Sequence, residues 1–225
     1  MTKSILTILL LLMLAKDLSA QTTRTLFNPD YLRGKIAKIL EIELADKDYK
    51  DTIIKTATLF DKNGTTTERT LSYGKVSYIL KYVTAFDSRG NKISTNLTNA
   101  EGDIISFIYD DRGRLEELRG KLKNKSSSYR DVYSYNNKNN QTEENHYNAK
   151  DSLSSNTSFK YNAQNHLIEE DYYIHSIFSY KVLYTYLDFD DFGNWTKRAS
   201  KTIFQKTKMP AVYKLIERQI SYQKG

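Results

Sequence analysis

The chain has 225 residues, 34 of them Lys or Arg against 27 Asp or Glu, a net charge of +7, and no cysteine. Without cysteine it holds no disulfide, no thiolate-ligated metal and no lipidated cysteine behind a leader. Its charges are mixed in sign along the strands, as in Arg112-Gly113-Arg114-Leu115-Glu116-Glu117, so the basic excess reads as solvated strand faces rather than a nucleic-acid-binding block.

Residues 1–20 read as a secretory signal peptide. Lys3 precedes the apolar run Ile5–Ala15, which is shorter than the roughly 20 residues a membrane span needs, and Leu18-Ser19-Ala20 ends in small residues. Cleavage after Ala20 leaves residues 21–225 as a single domain, long enough to bury about 70% of its unfolded surface. No second apolar stretch follows, so the mature chain is expected to be exported, periplasmic or at the cell surface, and not membrane-spanning.

Six segments then repeat one pattern: Phe60-Asp61-Lys62-Asn63-Gly64, Phe86-Asp87-Ser88-Arg89-Gly90, Tyr109-Asp110-Asp111-Arg112-Gly113, Tyr135-Asn136-Asn137-Lys138-Asn139, Tyr161-Asn162-Ala163-Gln164-Asn165 and Phe189-Asp190-Asp191-Phe192-Gly193. Their aromatic residues are spaced 26, 23, 26, 26 and 28 residues apart, and a period of this size signals a repeat architecture. Asp or Asn opens a turn by binding backbone two residues on, and Gly or Asn tolerates positive φ. Gly64, Gly90, Gly113, Asn139, Asn165 and Gly193 are therefore the positive-φ residues of type I turn hairpin corners. Runs such as Tyr133-Ser134-Tyr135, Phe159-Lys160-Tyr161 and Tyr184-Thr185-Tyr186 lead into the corners with the two-residue period of strands. Weaker corners at Tyr73-Gly74, Asn99–Gly102, Asn124–Ser128 and Asn148–Asp151 fall between them. Successive turns alternate between sheet ends, so the strong corners line one edge and the looser ones the other. The last hairpin, Trp195–Phe204 and Val212–Tyr222, is joined through residues 206–211, with Pro210 in the loop, and is expected to close one end of the sheet. The fold class is all-β, an extended and curled antiparallel meander of about a dozen strands.

The corner residues resemble the YD (Rhs-type) repeats, and Tyr109-Asp110-Asp111-Arg112-Gly113-Arg114-Leu115 fits that pattern along its length. Leu32-Arg33-Gly34-Lys35-Ile36 and Gly193-Asn194-Trp195-Thr196-Lys197-Arg198 are further similar to small secreted YD-repeat-like proteins of the Bacteroidetes type. The resemblance implies a β-repeat fold and a cell-envelope or exported location. It does not imply encapsulation, because this chain is too short to enclose a large cargo.

No catalytic residue, metal ligand or cofactor site is assigned. His146, His166 and His175 lack metal-binding spacing, and no nucleophile elbow or phosphate-binding loop occurs. Acidic groups at Asp110-Asp111, Glu143-Glu144, Glu169-Glu170-Asp171 and Asp188/Asp190/Asp191 read as turn formers and strand-edge charges. The 18 Tyr, 9 Phe and one Trp are the remaining chemistry. Trp195, Tyr133, Tyr135 and Tyr161 are the candidate ligand-stacking residues, although aromatic pairs also stabilise sheets. The expected function is a non-enzymatic exported protein binding a glycan or envelope partner through an aromatic sheet face. A partner-specific inhibitor, immunity-type or assembly accessory protein using the sheet edge or loops is the alternative.

Overall fold

The computed structural model describes residues 34–45, 51–86, 88, 92–98, 104–121, 128–205 and 210–223. The leader over residues 1–20, Leu32 and Arg33, the Gly90 corner, the turn over 99–102, residues 124–127 and residues 206–209 lie outside the described residues.

Every described element is a strand: β1 (Ile36–Ala45), β2 (Asp51–Phe60), β3 (Thr66–Tyr73), β4 (Val76–Lys81), β5 (Val83–Phe86), β6 (Lys92–Thr98), β7 (Ile104–Tyr109), β8 (Leu115–Lys121), β9 (Ser128–Tyr135), β10 (Gln141–Tyr147), β11 (Leu153–Tyr161), β12 (Leu167–Ile174), β13 (Ile177–Phe189), β14 (Trp195–Phe204) and β15 (Val212–Tyr222). All 15 join one antiparallel sheet in the order β4-β3-β2-β1-β15-β14-β13-β12-β11-β10-β9-β8-β7-β6-β5. The order departs from a simple meander at two points: β4 and β5 stand at the two edges, unpaired with each other, and the first strand pairs with the last, with Ile39 opposite Ile220 and Glu41 opposite Arg218. The final hairpin therefore lies in the middle of the sheet rather than closing an end, because the free side of β15 is taken by β1.

The two edge strands are consecutive in the chain and separated only by Tyr82. Both run toward the end that carries the strong corners, as one broken strand whose first half pairs with β3 and whose second half pairs with β6. The edges therefore meet, and the sheet curls on itself, without a hydrogen-bonded ladder across the seam. Tyr82 donates its N–H to the Thr67 carbonyl at 3.1 Å and turns its ring inward against Phe107, 6.2 Å between centroids. Curling is what buries one face of a single sheet, as shown by Ile39, Phe107, Leu115 and Leu167.

The corners share one geometry. At Asp110 the backbone N–H bonds the Arg114 carbonyl at 2.8 Å, and the Gly113 N–H returns to the Asp110 carbonyl at 2.9 Å. The Asp110 Oδ1 accepts from the Arg112 and Arg114 N–H groups. Asp61, Asn136, Asn148, Asn162 and Asp190 repeat this arrangement. Gly64, Gly113, Asn139, Asn165 and Gly193 have φ between 63° and 79°. Asn148 was expected to head a looser turn, yet it makes the same bonds, and Asp151 takes the positive φ of 57°.

Adjacent corners are tied to each other. Tyr135 donates its hydroxyl to the Leu115 carbonyl at 2.7 Å, and Tyr161 does the same to the Gln141 carbonyl at 2.8 Å, each reaching 20 residues back. In the other direction Arg114 Nη1 bonds Asn139 Oδ1, and Asn140 Nδ2 bonds Asn165 Oδ1. The C-terminal strand continues this rim. Tyr222 donates to the Asp190 carboxylate and accepts from Asn194, and Gln223 Nε2 donates to the Asp61 carbonyl.

The corner geometry gives a direct test at Gly113, where an added Cβ would meet nothing within 4 Å. Gly113→Val is expected to lower stability by about 1–2 kcal/mol through backbone strain alone. Gly113→Asn should cost less, since Asn139 and Asn165 already fill the equivalent position. Urea denaturation reads the difference, and equal midpoints for the two variants would show that positive φ is not the constraint.

Candidate binding site

Cross-strand register carries the concave face around the sheet. Phe107 faces Leu118, Leu118 faces Asp131, Asp131 faces His146 and His146 faces Ser155. Further round, Glu170 faces Val182, Val182 faces Thr202, Tyr186 faces Arg198 and Arg218 faces Glu41. Under β7 to β9 this face is a sealed apolar cluster of Phe107, Tyr109, Leu115, Leu118 and Tyr133, joined by Tyr82 from the seam.

Along β13 the face is only half-covered, while Glu170 of β12 and Arg198 and Ser200 of β14 on either side are buried. None of the 13 residues of β13 is buried, although β13 lies deep within the sheet order. Half-buried rings line this stretch: Tyr172 stacks on Tyr180 at 4.8 Å, Tyr180 meets Phe204 at 5.9 Å, and Tyr186 meets Trp195 edge-on at 6.1 Å. From Tyr180 to Tyr186 the row runs for about 20 Å along the strand. Two-residue spacing on β13 puts Tyr180, Tyr184 and Tyr186 on one side.

The row ends on arginines. Arg198 lies 4.4 Å from the ring centres of both Tyr184 and Trp195, and 5.8 Å from that of Tyr186. Arg218 sits 3.4 Å from the Trp195 ring centre and donates through Nε and Nη2 to Glu41 Oε1 at 2.8 and 2.7 Å. Burial works to raise the Glu41 pKa, but the charges of Arg218, Arg69 and Arg198 outweigh it and hold the carboxyl below its ordinary value. Burial lowers the Arg218 pKa, with Glu41 opposing and the Arg198 charge adding to the decrease.

Beside the apolar cluster, His146 Nδ1 lies 2.5 Å from Asp131 Oδ1 and its ring packs 5.7 Å from that of Tyr129. Ser155 stands opposite His146 in register. No group of three or more His, Asp or Glu able to hold a metal occurs among the described residues.

The convex face carries ion pairs beside exposed apolar side chains such as Ile203, which stands opposite Lys181. Lys160 and Lys181 both reach Glu169 and Asp171, at 2.6 to 3.3 Å, and Lys197 pairs with Glu217 at 2.8 Å. Hydrogen bonds from Lys160 and Lys181 bring the Glu169 pKa down to about 2.

The four aromatics singled out from the sequence are not brought together. Tyr133 is sealed in the apolar cluster, where burial, and then Glu144 and Asp131, push its pKa well above the usual phenol value. Tyr135 and Tyr161 are rim straps. Trp195 reaches the tyrosine row of β13, but Arg218 and Arg198 lie over its ring. Sequence reading placed Tyr184 and Tyr186 on a strand face but missed their site with Tyr172, Tyr180, Phe204 and Arg198. The two-residue spacing of the β13 tyrosines was the available signal; their arginine partner depends on β13–β14 register.

No protein-family model and no curated protein matches the chain. Among solved structures it is similar to a porin-like protein from Bacteroides uniformis, at 10% identity and a TM-score of 0.54, over 84% of this chain and 98% of that one. A second similarity, to a chain of a TcdB2–TccC3–Cdc42 structure, has 15% identity and a TM-score of 0.38, and covers 76% of this chain but 9% of the other. The first likeness is one of β fold. The resemblance to YD repeats rests on the corner residues themselves.

Proposed function

We propose that the chain is an exported, non-enzymatic β-repeat protein of the cell envelope that binds a glycan along the aromatic row of its concave face. The observation that carries this reading is β13, a central strand with no buried residue and with Tyr180, Tyr184 and Tyr186 in line, half-buried, on the concave side. A row about 20 Å long fits an extended chain of sugar rings stacking on ring faces better than one compact ligand. The leader-like N-terminus supports export, and the porin-like fold supports an envelope setting. The ion pairs on the convex face favour a water-facing exterior, because the outer wall of a membrane barrel carries an apolar band.

The alternative, recognition of a protein partner through the sheet edge, is favoured by one observation. The seam strands expose Val76, Ile79, Val83 and Phe86, and an unpaired edge accepts an added strand. A glycan array with purified residues 21–225, beside a pull-down from envelope lysate, separates the two. Glycan binding that falls at least tenfold in the double variant Tyr180→Ala/Tyr184→Ala, and is unchanged in the rim variant Phe192→Ala, supports the glycan reading. A stoichiometric protein partner with no glycan signal overturns it.

A further inference from the structure

The aromatic row ends on a charged group that ring stacking does not require. Arg198 is 3% exposed, and its Nε and Nη2 have no hydrogen-bond partner. Those two nitrogens share one edge of the planar guanidinium, and their N–H bonds run parallel. That fork takes two oxygens of one anionic group at once. Arg218, close by, uses the same donor pair on Glu41. In Arg198 the fork has no acceptor, and its guanidinium is held in place by Tyr184, Trp195 and Tyr186. A buried guanidinium edge without an acceptor is costly unless water or a bound group fills it. Tyr184, Tyr186 and Trp195, the rings that cover the guanidinium, are themselves only half-buried.

We propose that the ligand of this face is an acidic glycan, one of whose carboxylate or sulfate groups seats on Nε and Nη2 of Arg198 while its sugar rings follow Tyr186, Tyr184 and Tyr180. This rests on the glycan reading above and adds the charge of the ligand and the residue that selects it. Two guanidiniums on Trp195 repel each other, and an anion beside Arg198 relieves that repulsion. A planar fork also discriminates by geometry, which a lysine in the same place would not.

The test is calorimetric titration of residues 21–225 at physiological salt with oligogalacturonate, its carboxyl-reduced counterpart, dextran sulfate and neutral dextran. The wild-type chain is expected to bind one or both acidic glycans at least tenfold more tightly than the neutral ones, and the two acidic arms distinguish carboxylate from sulfate. Arg198→Gln should remove that preference. Arg198→Lys, which keeps the charge and loses the fork, should recover little of it. Lys160→Gln, which removes the same charge from the convex face, should leave binding unchanged, so that non-specific polyanion attraction is excluded. Melting curves establish that each variant is folded, and the wild-type comparison needs no variant at all. Equal binding of carboxyl-reduced and acidic glycans, or an Arg198→Gln variant that keeps the preference, overturns the acidic inference and leaves the glycan reading standing. Failure of all four glycans to bind overturns both.

Discussion

Glu41→Gln is expected to destabilise the chain by about 3–5 kcal/mol, the usual cost of removing one member of a buried ion pair. Glu41 and Arg218 join the first strand to the last across 177 residues of sequence, so the loss falls on the pairing that completes the sheet. The neutral amide accepts hydrogen bonds but no longer offsets the Arg218 charge or the nearby charges of Arg69 and Arg198. Replacing both partners with apolar residues, as in Glu41→Met/Arg218→Met, should restore most of the loss, because the charge and its desolvation disappear together. The substitution also has a pH signature. A carboxyl held below its ordinary value contributes stability that is complete above the unfolded pKa and lost as pH falls through the folded one. For Glu41 that window lies below pH 4.5, so Glu41→Gln should flatten part of the acid limb of the stability profile. Urea denaturation at several pH values measures both effects. A loss under about 1 kcal/mol at pH 7 would show that the pair does not carry the β1–β15 contact.

That same pairing marks the boundary of what the sequence discloses. The corners were legible because each is a local event: Asp110 and Gly113 fix a turn through bonds spanning four residues. The last hairpin was legible for the same reason, with strands over 195–204 and 212–222 on either side of a proline-containing loop. Its position in the sheet was not, because nothing local to Val212–Tyr222 says that Ile36–Ala45 lies alongside. The straps escaped notice too. Tyr135 and Tyr161 have the composition of stacking residues, and only the 20-residue offset to a backbone carbonyl reveals a structural hydroxyl. The site divides in the same way. Its tyrosines follow the two-residue period of one strand, whereas the position of Arg198 depends on register between β13 and β14, including the shift near Asp188.

Gly120→Ala is expected to destabilise by about 1–3 kcal/mol, against the intrinsic preference of a strand for Ala over Gly. Gly120 pairs with Tyr129 across β8 and β9, and an added Cβ would lie 2.0 Å from Tyr129 Cε1 and 2.2 Å from Cζ. The ring lies over the glycine and fills the space its missing side chain leaves. Tyr129 can yield only by rotating, and its ring is engaged with His146 on one side and the apolar cluster on the other. The sign of the effect is therefore conditional on the ring. In a Tyr129→Ala background the clash is gone, and Gly120→Ala should become stabilising by about 0.5–1 kcal/mol, the ordinary gain from restricting the unfolded backbone. A double-mutant cycle by urea denaturation reads this reversal as a coupling energy. If Ala at position 120 has the same effect in both backgrounds, the ring does not occupy that space. A reversal would identify Gly120 as the position that lets Tyr129 lie flat between the apolar cluster and the Asp131–His146 pair.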